Sequence, residues 1–254
     1  SGAKWAQAFS SIYIWTEAAE RILPKGAFLR KEGKRNDILG KAPEKCAELY
    51  EANGFAFKKG IFYRIENDMA FGMNLGMPTG TDIQLFVLPL YVPTEFCYTT
   101  YGTRLTVGAA ERDGGAGNAA ELAGEWMSIL SNDIFPCFQT ITSPDAFFTQ
   151  VSHRALFAPH ECRISDVFVQ RLRLATAFYE KRYSEIPEIC GEYMKVLADA
   201  PYLTSGCKKI YFDEVRLFQN AMALSDPEKE TLMAEIIEKP DGRALACDSH
   251  GNTA

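Results

Sequence analysis

The sequence predicts an α+β fold: an N-terminal helix, an antiparallel meander of about five strands over residues 55–107, and a helical C-terminal half. Three observations predict it. Apolar residues recur at helical spacing from Trp5 to Leu23. The period then drops to two after Gly54, and helical spacing with clear start signals returns after residue 118.

The first helix places Trp5, Ala8, Phe9, Ile12, Ala19, Ile22 and Leu23 on one stripe. Lys4, Gln7, Glu17, Glu20 and Arg21 interrupt or flank the run, so it reads as an amphipathic helix packed on the domain and not as a bilayer span. After Pro24 a Gly-punctuated connector carries Lys25, Arg30, Lys31, Lys34 and Arg35, the pattern of a solvated loop. A second helix with Ala42, Cys46, Leu49 and Tyr50 on its stripe ends at Asn53-Gly54, since both residues tolerate the left-handed conformation that closes a helix.

Strands follow. Phe55–Lys58 and Ile61–Glu66 flank a Lys-Gly turn as a hairpin would, and Asn67-Asp68 turns the chain again. Met69, Phe71, Met73 and Leu75 alternate with Ala70, Gly72 and Asn74, which predicts one core face and one small or polar face. The run from Asp82 to Val92 becomes apolar on both sides, as in a strand covered on both faces, and a last strand is expected from Tyr98 to Val107. Short turns between successive strands favour antiparallel pairing, because parallel strands need long crossovers.

The C-terminal half opens after the Gly-rich loop Glu111–Asn118 with a helix carrying Ala119, Leu122, Ala123, Trp126, Ile129 and Leu130 on one face. Ser143-Pro144-Asp145 is an N-cap with proline in the first turn, ahead of Phe147, Phe148 and Val151. A helical hairpin spans Ile164 to Ala200, a further helix starts near Lys208, and the last begins at the capping box Ser225-Asp226-Pro227-Glu228. No repeat or long linker divides the chain. The expectation is therefore a single domain over residues 1–238, strand-rich at 42–110 and helical at 118–238, with a polar tail at 239–254.

Composition narrows the function classes. Of the 254 residues 47% are apolar, enough to bury a full core, and the net charge of −6 argues against a nucleic-acid binder, whose domain would carry a basic stripe. The seven cysteines, Cys46, Cys97, Cys137, Cys162, Cys190, Cys207 and Cys247, form no CxxC pair; they read as reduced thiols of a cytoplasmic protein. The chain opens Ser1-Gly2, as a cleaved or processed start would.

Two segments carry a resemblance. Gly54-Phe55 with Lys58-Lys59-Gly60-Ile61-Phe62-Tyr63-Arg64-Ile65 resembles the opening hairpin of a bacterial family of small α/β proteins catalogued as a domain of unknown function. Asp133–Phe138, then Ile141–Phe148, is similar to the proline, aromatic and short capped helix with which that family leaves its sheet. The likeness covers about residues 46–200 and rests on turns, caps and core aromatics. It implies a fold and carries over no catalytic residue.

Few residues suggest chemistry. His153, His160 and Cys162 supply the nitrogen and sulfur atoms that zinc prefers, but His153 and His160 stand seven apart, His160-Glu161-Cys162 is not a standard pair, and Glu161 or His250 would have to complete the set. A Cys–His nucleophile from His160 and Cys162 needs a thiolate and a base in register, which sequence neighbours rarely achieve. The Gly114–Asn118 loop lacks the lysine and spacing of a phosphate loop. Asp213 and Glu214, like most acidic pairs, are expected in solvent. Tyr91, Phe96, Tyr98 and Tyr101 cluster where the fourth strand passes into the fifth; they read either as sheet-cover core or as an aromatic interface patch.

The expected function is accordingly a non-catalytic interaction protein of bacterial accessory, immunity or regulatory type. It is expected to hold no cofactor or metal and no membrane, and to bind a protein partner or a second copy through an edge strand or the Tyr91–Tyr101 aromatics. The alternatives are a metal-dependent or Cys/His hydrolase using His153, His160 and Cys162, and a nucleic-acid accessory protein using the basic 25–45 segment.

Overall fold

The computed structural model describes residues 46–58, 61–75, 82–92, 100–106, 119–160 and 162–238. The first helix of the sequence reading, the basic 25–45 segment and the polar tail lie outside these residues. Helix α1 (Ala47–Ala52) enters the sheet through the predicted stop. Gly54 takes φ +77°, its N–H donates to Glu51 O, and the Phe55 N–H donates to Tyr50 O at 2.9 Å. Those two bonds make a Schellman close, and the Tyr50 and Phe55 rings meet edge to face above it.

The sheet is antiparallel, in the order β1-β2-β3-β4-β5. Strands β2 (Ile61–Glu66), β3 (Met69–Leu75), β4 (Asp82–Pro89) and β5 (Gly102–Thr106) form its body, and β1 (Ala56–Lys58) adds a three-residue edge. Asn67 and Asp68, both at positive φ, make the tight β2–β3 turn whose twist suits a hairpin. Register follows from alternation: Phe71 stands opposite Val87 and Met73 opposite Leu85, all on one face, while Gly72 stands opposite Phe86 on the other. The expected fourth strand ends earlier, at Pro89, because the chain turns there, the Val92 N–H donating to the Pro89 carbonyl at 3.2 Å. The fifth starts at Gly102, after Thr100 and Tyr101 have made a turn.

The helical half covers the first face. Helix α2 (Ala119–Ile129) widens into a π-helical turn at Leu130–Ile134 and continues as α3 (Phe135–Thr140), with Pro136 in its first turn. Proline ordinarily clashes with the carbonyl four residues back; the wider turn ahead of Pro136 lets the chain stay helical past it. Helix α4 (Pro144–Ser152) is capped as expected, Ser143 Oγ accepting from the Ala146 N–H at 3.1 Å. The expected helical hairpin is α5 (Asp166–Tyr179) and α6 (Ile186–Ala198). Helix α7 (Ser205–Ala221) starts before Lys208 because Thr204 Oγ1 caps it, and α8 (Asp226–Glu238) opens with Glu228 accepting from the Ser225 N–H and hydroxyl. Among the described residues no helix is long and apolar enough to cross a membrane.

One large core joins the first sheet face to the helices. Phe62, Met69, Phe71, Met73, Ile83, Leu85 and Val87 meet Trp126, Phe138, Phe147 and Phe178 there. A smaller cluster lies on the opposite face: Ala70, Phe86, Leu88 and Leu90, flanked by Tyr63, Ile65 and Ile237.

Candidate functional site

Of the aromatic cluster, Tyr91 and Tyr101 belong to the core. Tyr91 is fully buried with its ring 4.7 Å from that of Tyr179, and its hydroxyl accepts from Thr176 Oγ1 at 3.5 Å. Tyr179 in turn donates to Asp68 Oδ2 at 2.6 Å, tying α5 to the β2–β3 turn. Tyr101 is 1% exposed, edge-on to Phe147, and its hydroxyl donates to the Phe168 carbonyl at 3.0 Å. Burial pushes the Tyr91 and Tyr101 phenols well above their ordinary range, so both stay neutral. These two rings therefore offer no exposed docking patch: α5 supplies polar partners for their tips, and a tyrosine whose hydroxyl is satisfied can be buried whole. Phe96 and Tyr98 lie outside the described residues.

Beside Tyr101 the fold hides an ion pair that the sequence reading missed. Arg171 of α5 donates from Nε to both carboxylate oxygens of Glu214 on α7, at 2.9 and 3.0 Å, and from a terminal nitrogen to Oε2 at 2.7 Å. Both side chains are 2% exposed, and the guanidinium lies 5.2 Å from the centre of the Tyr211 ring. Glu214, expected in solvent, is therefore core. Its position was readable, because Glu214 falls within the stripe Tyr211, Val215, Phe218 and Arg171 within Val167, Leu174, Phe178. A charge inside an apolar stripe on each of two helices calls for a partner.

The histidines and cysteines are dispersed among separate partners. His160 Nε2 lies 3.0 Å from Asp133 Oδ2, which projects from the π-helical turn. Cys162 Sγ donates to the Gly102 carbonyl at 3.3 Å, and Cys137 Sγ accepts from the Phe157 N–H at 3.4 Å. His153 is exposed at the end of α4. Burial pushes the Cys162 thiol up to about 12, with Cys137 adding to it, and burial raises Cys137 as well. Nucleophilic cysteines need the opposite shift. Among the described residues no group of three His, Cys, Asp or Glu side chains could hold a metal ion, and Glu161 and His250 lie outside them.

The open backbone of the sheet lies elsewhere. Strand β5 pairs with β4 alone among the described strands. The Tyr101 carbonyl accepts from the Val87 N–H and so points to β4; alternation turns the backbone groups of Gly102, Arg104 and Thr106 outward. Cys162 occupies the outward carbonyl of Gly102. Arg104 reaches back over the sheet to the fully buried carboxylate of Asp82, which stands at the start of β4. Comparison with protein families, curated proteins and solved structures finds no match to this chain.

Proposed function

We propose that the protein is a non-catalytic interaction protein, accessory or regulatory in type, that takes an extended strand of a partner along the outer edge of β5. The observation that carries this reading is the outward line of backbone groups at Arg104 and Thr106, which meets no other strand among the described residues. Backbone bonds from such an edge provide affinity with little sequence demand, and pockets for alternate side chains add selectivity. The raised thiols and the separate partners of His160 and Cys162 favour binding over covalent catalysis at this end of the molecule.

Two substitutions at one position test it. Arg104→Ala removes the ion pair with Asp82 but keeps the outward N–H, whereas Arg104→Pro removes both, and proline is tolerated where an edge N–H faces outward. With a partner captured from the native host, calorimetric titration is expected to give near-normal affinity for Arg104→Ala and a loss of tenfold or more for Arg104→Pro. Sedimentation velocity of the same pair reads out self-association through two β5 edges. Equal behaviour of the two variants in both measurements refutes the edge.

A further inference from the structure

The outer strand β5 carries its charge unevenly. Arg104, at the middle of the strand, holds one oxygen of Asp82 through Nε and Nη2. The carboxylate side chain is 0% exposed and the arginine side chain 46%. The pair is therefore a dipole whose negative end is buried and whose positive end meets water. The guanidinium also keeps Nη1 for a further acceptor.

We infer that the strand received at this edge alternates acidic and apolar residues, sets a carboxylate opposite Arg104, and is not a second copy of β5. The inference rests on the β5 edge as the docking site and names what docks there. Register decides the side chains. A strand added antiparallel places its residues directly opposite those of β5, with Cβ atoms about 5 Å apart. Arg104 stands opposite Gln84, two residues from Asp82, so all three side chains share the sheet's second face, the one away from the main core. A glutamate opposite Arg104 projects from that same face and can reach Nη1. Opposite charges in such a pair favour the added strand, and like charges oppose it. Thr103 and Leu105 stand opposite Leu85 and Ile83 on the first face, where Leu105 packs against the core. Residues flanking the glutamate extend that surface, which suits valine or isoleucine. The same register opposes self-pairing. Two copies of β5 in full overlap set Arg104 against Arg104, and a shift that avoids this leaves just 102–104 or 104–106 as the paired stretch. Cys162 further takes the outward carbonyl of Gly102. A charge in the middle of an edge strand blocks pairing between copies in this way.

The probes are three fluorescein-labelled peptides titrated with the full chain by fluorescence anisotropy: Ser-Thr-Val-Glu-Val-Thr-Ser, the same peptide with lysine in place of glutamate, and β5's own Gly-Thr-Arg-Leu-Thr. The glutamate peptide is expected to bind about fivefold tighter than the lysine peptide, and the preference should shrink as salt rises from about 0.05 to 0.5 M. Arg104→Ala should bring those two peptides level, weakening the glutamate peptide about twofold, and Arg104→Pro should abolish binding of both. Equal binding of the two by the wild-type chain, lost in Arg104→Pro, would overturn the acidic partner and leave the edge standing. Binding that Arg104→Pro leaves untouched would overturn edge and partner together. Tightest binding of the β5 peptide would mean that a second copy docks there. Absence of binding by the glutamate peptide at millimolar concentration would sink the inference as well, with the edge itself still decided by the captured partner.

Discussion

The two faces of the sheet come from the same strands, alternate residue by alternate residue, yet they are stabilised differently. On the first face Phe71 meets Phe138 at 5.2 Å and sits beneath the Arg64 guanidinium, 5.1 Å from its ring centre. Tyr50 stacks on Phe62 at 3.6 Å, and helices α2–α7 close over the whole. Among the described residues the second face has small residues, one phenylalanine laid across a glycine, and the end of one helix. The difference teaches that burial alone does not identify the covering partner.

The largest effect expected lies behind the first face. Glu214→Ala strands the Arg171 guanidinium in the core and should cost about 3–5 kcal/mol by denaturant unfolding, whereas Arg171→Met with Glu214→Leu should come out near neutral. A loss below about 1 kcal/mol for the single variant would mean that water enters this layer. Phe71→Ala follows, at about 3–5 kcal/mol. The comparison sharpens when Leu88→Ala on the second face is measured beside it, at about 2–5 kcal/mol. A loss for Leu88→Ala as large as that for Phe71→Ala would erase the distinction between the faces.

Gly72→Ala is smaller, about 1–3 kcal/mol, because the Phe86 ring must leave its place over the glycine. Combining it with Phe86→Leu should recover most of the loss in thermal unfolding. Smallest near neutral pH is the ionisation term, and it belongs to the first face. Burial raises the thiols of Cys46 and Cys190 to about 11 and that of Cys162 to about 12, from an ordinary value near 9.0. Below about pH 8 the thiols are protonated in folded and unfolded chain alike, so their contribution is flat. From pH 9 toward 11–12 the unfolded chain ionises first, and stability should fall as pH rises. Replacing the three cysteines by alanine should reduce that slope most near pH 9–10, while the buried phenols of Tyr50, Tyr91, Tyr101 and Tyr193, also raised by burial, keep it falling at higher pH in a pH series of unfolding curves.

Much of this architecture could be read directly. The alternation of Met69, Phe71 and Met73 with Ala70 and Gly72 is the sheet's division into faces. Asn53-Gly54 and Ser143-Pro144 mark boundaries because their backbone and side-chain geometry act within four residues. What escaped the reading depends on distance along the chain. Arg171 and Glu214 lie 43 residues apart; each stands in an apolar stripe of its own helix, but which charge meets which is set only when the two helices pack. Tyr91 and Tyr101 read equally as core or as interface anchors until Thr176 and the Phe168 carbonyl meet their hydroxyls. The π-helical turn that presents Asp133 to His160 has no local signature ahead of Pro136.

By itself the sequence determined the order of elements, the antiparallel meander and the helical C-terminal half. These follow from steric preference, hydrogen bonding between neighbours and the period of apolar residues, all of which act locally. The tertiary structure alone decided which charges are buried, which aromatic rings face inward and which sheet face closes over the main core. Those outcomes depend on desolvation, and whether a group loses its water is set by whatever the fold places against it.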